Sequence, residues 1–173
     1  MGSSGLLIFF VLVAAAVFEF MGTVTWYPPY FRYGVPIYLS RIPCPSVTLP
    51  LPSPNELSGR YKARWDDPPL FRSLSATEIG FRDPLFEIRP FSAWRLTHGL
   101  IELRQSTADV LLVGYVNLTM LLLGTVVLIS LPMSDFTWML WFLVPAVALW
   151  VFVIIQQYRR VGRMLAEAIQ GRS

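Results

Sequence analysis

Three long stretches of the chain are almost free of polar residues: Leu6–Val24, Val110–Leu131 and Phe136–Ile155. Glu19 alone puts a charge in the first, and the other two hold none. A helix needs ~20 apolar residues to cross the ~30 Å hydrocarbon core of a bilayer. The pattern therefore predicts three transmembrane helices, over 6–24, 108–131 and 136–158. The last two would form a hairpin through LPMSD. Gly114 and Gly124 offer small surfaces for close helix approach, and Asn117, inside the second span, offers an amide for an interhelical hydrogen bond. Pro145 is expected to bend the third span.

Between the first two spans the pattern changes twice. Residues 25–70 begin with WYPPYFR, where Trp26, Tyr27 and Tyr30 can place rings at headgroup depth while Arg32 reaches phosphates. Pro28 and Pro29 stop the helix. From Pro36 to Pro69 proline recurs at a density that disfavours helix, yet Ile37, Leu39, Ile42 and Leu51 make the stretch too apolar for a free linker. It reads as an extended strap lying on its own domain or on a partner.

Residues 71–107 alternate apolar and polar positions through EIGFRDPLFEIRP and SAWRLTHGLIELRQ, with turns at Asp83-Pro84 and Thr97-His98-Gly99. That predicts a small antiparallel sheet of roughly three to five strands. So short a segment buries little core alone, and its apolar face would need the strap, the membrane surface or another subunit. In the tail, 159–173, Val161, Leu165, Ala168 and Ile169 oppose Arg159, Arg160, Arg163 and Glu167, which suits an amphipathic helix on the bilayer or under the sheet. The expected fold is an integral membrane α-helical protein with three transmembrane helices, a small cytoplasmic antiparallel β domain and a Pro-rich strap.

Composition agrees with a membrane setting and charge gives it an orientation. Only 14% of the 173 residues are charged, against ~25% in soluble domains. Every Lys and Arg lies between 32 and 104 or between 159 and 172. The positive-inside rule then puts residues 25–107 and the C-terminus in the cytoplasm and the tail 1–5 outside, as for a bacterial inner-membrane protein. Met1–Gly5 carries no Lys or Arg, which argues against a cleaved signal peptide. The net charge of +3 suits anionic lipid, and nothing points to nucleic acid.

Candidate chemistry is sparse. His98 is the single histidine and Cys44 the single cysteine. Neither has the spacing of a metal site, and His98 is expected as a solvent-facing or hydrogen-bonded turn residue. Glu19 is expected to snorkel or to pair with Arg32, and Asp66 and Asp67 to form a turn before Pro68. No Walker, GxSxG, HExxH or CxxC pattern occurs, so the expectation is a non-catalytic protein without cofactor or metal.

The leading reading is an accessory or structural subunit of a larger integral-membrane complex, photosynthetic or respiratory. Trp138, Trp141 and Trp150, distributed along the third span, would face other membrane subunits. Trp26, Tyr27, Tyr30, Arg32, Arg159, Arg160 and Arg163 would face a partner or anionic lipid. The layout of an outside N-terminus, one helix and a cytoplasmic β-rich part resembles that of accessory subunits such as the H subunit of purple bacterial reaction centres, from which the C-terminal helix hairpin departs. A second resemblance, of WRLTHGLIELR to the strand–turn–strand of bacterial PH-like domains, implies instead a membrane-anchored module that binds lipid headgroups or a cytosolic protein.

Overall fold

A computed structural model describes residues 3–44, 50–61, 69–83, 98–130 and 140–171. In chain order the elements are α1 (Ser3–Thr25), α2 (Pro28–Arg32), β1 (Val35–Pro43), α3 (Pro54–Arg60), β2 (Leu70–Ser73), β3 (Glu78–Arg82), β4 (His98–Arg104), β5 (Asp109–Val116), α4 (Leu118–Ser130) and α5 (Leu140–Gln170). The strands form one antiparallel sheet in the order β1-β5-β4-β3-β2.

The expectation of three transmembrane helices is corrected: among the described residues only Leu6–Thr25 is a helix long and apolar enough to cross a membrane. The start of the second expected span is instead the strand β5, paired with β1 on one side and β4 on the other. Val110 to Tyr115 are buried without interruption, because this interior strand is covered on both faces. A strand of that kind reads as a continuous apolar run, and periodicity does not separate it from a buried helix. What remains helical, α4, has 13 residues and is about 20 Å long, short of the ~30 Å needed. Gly114 consequently lies on a strand, and Asn117 sits at the strand–helix junction rather than inside a span.

The third expected span and the tail are one helix, α5, of 31 residues with Pro145 inside it. Its first half, up to Phe152 and Val153, leaves Trp141, Phe142, Val144, Val147 and Leu149 exposed. Its second half buries Ile154, Tyr158, Val161, Leu165 and Ala168, a spacing of three and four that puts them on one stripe. This stripe lies on the sheet with Ile42, Ile79, Phe81, Ile101, Val110 and Leu112. Burying side chains of this size contributes about 1.5–3 kcal/mol each, so the sheet face that the sequence leaves uncovered is closed by the chain's own C-terminus.

The strap packs on its own sheet. β1 pairs with β5 from Val35↔Val116 to Pro43↔Asp109. In α3 the Ser53 side chain accepts from Glu56 N at 3.2 Å, a standard N-cap with Pro54 in the first turn, and Leu57 is wholly buried in the core. The opposite sheet face is covered by the segment after α1: Tyr30 and Phe31 pack on Leu100, Leu111, Val113 and Tyr115. The expected turn at His98-Gly99 is instead the start of β4, and the hairpin turn to β5 falls at 105–108, with Ala108 at φ 51°. The expected strand positions Phe86, Ile88, Trp94 and Leu96, the Asp66-Asp67 turn and the LPMSD turn lie outside the described residues.

These contacts fix a polarity. α1 meets the sheet with its C-terminal turn, where Gly22 lies against the Tyr30 ring. α4 starts at the end of β5 and packs on α1. α5 runs from Tyr158 over Gly114 to Ile169 beside Leu103 and Val110, so its apolar half projects beyond that same end. All three apolar helical segments thus leave the sheet from one end, marked by His98, Gly114 and Asn117.

Candidate functional site

An open groove of about 490 Å³ runs between the edge strand β1 and α5, lined by Tyr38, Ser40, Ile42, Gln156, Arg159, Gly162, Arg163 and Ala166. Its walls follow from two periodicities. Tyr38, Ser40 and Ile42 are alternate residues of a strand, and Gln156, Arg159, Arg163 and Ala166 recur at three and four along a helix face. At Gly162 the helix meets the strands: a Cβ there would be in ordinary van der Waals contact with the Leu112 side chain at 3.4 Å and with Tyr38 Oη at 3.5 Å. Tyr38 in turn stacks on Tyr158, with ring centroids 5.6 Å apart.

The groove is rich in donors. Two guanidinium groups, the Ser40 and Tyr38 hydroxyls and the Gln156 amide line it, and among the described residues no carboxylate does. Arg159 and Arg163 are exposed, and neither forms an ion pair among the described residues. Its volume lies in the range of small-molecule sites. Such a lining favours an anion, above all one with the geometry of phosphate, which arginine can engage bidentately.

A second polar cluster lies at the helix-bearing end of the sheet, where it is buried. His98 is 3% exposed, stacked between Tyr30 (ring centroids 4.3 Å apart) and Tyr115 (5.5 Å). Its Nδ1 lies 3.1 Å from Asn117 Oδ1 and 3.2 Å from Tyr30 Oη. Because Oδ1 can only accept, Nδ1 carries the proton, and Nε2 is a buried acceptor without a partner among the described residues. Burial drives the His98 pKa down to about 4, against a smaller upward pull from the Asn117 hydrogen bond. Burial likewise pushes the Tyr30 hydroxyl up to about 12, with the Thr23 hydrogen bond opposing and Glu19 adding to the rise.

The Tyr158 hydroxyl donates toward the carbonyl oxygens of His98 (3.0 Å) and Tyr115 (2.9 Å), tying α5 to β4 and β5. Asn117 occupies the place that a carboxylate takes beside a catalytic imidazole, and its neutral amide orients His98 with an upward pull on the pKa that burial outweighs. Chemically it is a joint between helices and sheet.

No protein-family model, no characterised protein and no solved structure matches the chain.

The residues singled out by the sequence pattern are distributed among three places. Arg159 and Arg163 line the groove, while Arg160, exposed on α5, does not. Tyr30 and Asn117 belong to the buried joint, and Gly114 carries the Tyr158 ring, which a Cβ at that position would overlap. Of the WYPPYFR collar only Tyr27 and Arg32 stand exposed. Trp26, at φ 56°, stacks on Phe31 and has the Arg82 guanidinium 4.9 Å from its ring centre. Arg32 pairs with Glu78 at 2.6 Å rather than with Glu19, which is buried; this pairing with Glu78 holds the Arg32 pKa above its ordinary value.

Trp141 is 83% exposed, whereas Trp150 packs in part on the core. Among the described residues, nothing lies within 4 Å of where a Cβ on Gly124 would sit. Trp138 lies outside the described residues. The pattern does not single out Tyr38, Ser40, Gln156 or Gly162. Gln156 alone carries a signal, one turn before Arg159 on the same helix face.

Proposed function

We propose that the chain is a non-catalytic, membrane-anchored binding module. α1 spans the bilayer once with its N-terminus outside, and the sheet is held at the cytoplasmic surface of a bacterial inner membrane with its helix-bearing end toward the lipid. The observation that carries this reading is the common end from which α1, α4 and the apolar half of α5 project, while both sheet faces are covered by the chain itself. A protein shaped in this way needs hydrocarbon at one end only. The basic residues near α1 and on the second half of α5 all lie on the sheet side, as the positive-inside rule requires.

The test is membrane extraction of the full chain and of a variant lacking residues 3–25. The full chain should stay with the membrane through alkaline carbonate, and the shortened chain should be released by salt or carbonate. Release of the full chain under the same wash would refute the anchor.

A second reading, an accessory subunit of a larger membrane complex, is favoured by one observation. Trp141, Phe142 and Leu149 leave a broad apolar surface on α5 that another membrane subunit could cover as well as lipid can. Mild-detergent extraction separates the two. Co-migration with other polypeptides at fixed stoichiometry supports the subunit, and recovery as a lone monodisperse protein supports the module.

A further inference from the structure

We propose that the groove between β1 and α5 binds the phosphate headgroup of an anionic phospholipid from the membrane that holds the chain, a proposal that rests on the anchored orientation described above. Depth is the first argument. The groove begins at Gln156, immediately after Ile155 closes the apolar half of α5. At 1.5 Å per residue, Arg159 and Arg163 lie about 6 Å and about 12 Å further along the helix axis. The headgroup layer on each side of a bilayer is about 5–8 Å thick. With the apolar half of α5 against hydrocarbon, Arg159 sits at phosphate depth, while Arg163 lies beyond the headgroup layer on a helix whose side chains lean back toward its N-terminus and so toward the phosphates.

Chemistry is the second argument. Arg159 and Arg163 are one turn apart on a helix and can grip a single phosphodiester from two sides, while the Ser40 and Tyr38 hydroxyls and the Gln156 amide face the same space. Among the described residues no carboxylate in the lining competes for the guanidinium groups. The groove is open to its surroundings, so a headgroup at this depth can enter it.

The experiment uses the full chain purified in a zwitterionic detergent and titrated with dioctanoyl phosphatidylglycerol, with dioctanoyl phosphatidylcholine and inorganic phosphate as separate arms. Binding is read by native mass spectrometry and by the intrinsic tryptophan signal. The double variant Arg159→Gln/Arg163→Gln is compared with Arg160→Gln, which changes the same charge type outside the groove. Circular dichroism checks that each is folded.

The expected result is saturable binding of the anionic lipid, weakened at least tenfold in the double variant and less than twofold in Arg160→Gln, with phosphatidylcholine weaker than the anionic lipid. Equal weakening by Arg160→Gln would reduce the effect to general surface charge and overturn the site. Inorganic phosphate binding as tightly as the lipid would overturn the lipid assignment. If carbonate extraction shows the chain anchored and the double variant still binds lipid like the parent, the groove proposal fails and the anchored module stands. If the chain is released by carbonate, the anchored module fails and the depth argument falls with it.

Discussion

His98 shows how far a single residue departs from its sequence neighbourhood. Flanked by Thr97 and Gly99, it reads as a turn histidine, but it opens β4 and is walled in by Tyr30 and Tyr115. No local signal announces this, because Tyr30 and Asn117 come from distant parts of the chain. Its folded pKa near 4 lies below the ordinary value of about 6.5. Between those values the unfolded chain binds a proton that the folded chain refuses, so stability falls as the pH drops through this window. Thermal or denaturant unfolding should show a loss of about 2 kcal/mol between pH 7 and pH 5. His98→Gln should lack that component, and an unchanged pH slope would show that His98 is not the titrating group.

Tyr158 and Gly114 make the matching prediction for packing. Tyr158→Phe removes a hydroxyl shared by two buried carbonyls and should cost about 1–2 kcal/mol. Gly114→Ala drives a methyl into the Tyr158 ring and should cost about 2 kcal/mol or more. Denaturation midpoints of the two variants check both, and a neutral Gly114→Ala would contradict the contact. Here the sequence was partly legible: Gly114 does mark a close helix approach, but the glycine is on a strand and the helix comes from over forty positions downstream.

At the scale of elements, the decisive one is β5. Val110–Tyr115 is apolar on both faces because α5 lies on one side of the sheet and the Tyr30–Phe31 segment on the other. Alternation, the signal that reveals β3 in EIGFR, is absent from a strand covered twice. Once β5 is a strand, β1 gains a partner, the Pro-rich strap is anchored, and the groove acquires its second wall. None of these is readable from a pattern that predicts a helix over 108–131. The basic face of α5 was legible from Arg159 and Arg163 at helical spacing, but its position against Tyr38 and Ser40 was not.

The second half of α5 closes the sheet, which gives a prediction for the element as a whole. Leu165 is fully buried, and Leu165→Asp places an unpaired charge in the core, so the sheet should lose its protection. Limited proteolysis should then cut within residues 98–116, which the parent chain is expected to protect. Resistance equal to the parent would mean that the sheet does not depend on α5.

For the whole molecule, the sequence pattern assigns all three apolar runs to transmembrane helices, and among the described residues only the first is a helix long and apolar enough to cross a membrane. α1 keeps its expected role as the one described helix able to cross a membrane. The second run divides between an interior strand and a short helix, and the third continues into the sheet's own cover. Length and apolarity report burial; they do not say whether lipid or protein provides it.

The most direct test of the orientation compares two positions on α5. Nitroxide labels at Val147 and Glu167, each introduced as a single cysteine in a Cys44→Ser background and reconstituted in liposomes, lie about 30 Å apart along the helix. The account predicts that Val147 is accessible to oxygen and shielded from a water-soluble nickel chelate, and that Glu167 shows the reverse. Equal chelate access at both positions would contradict it.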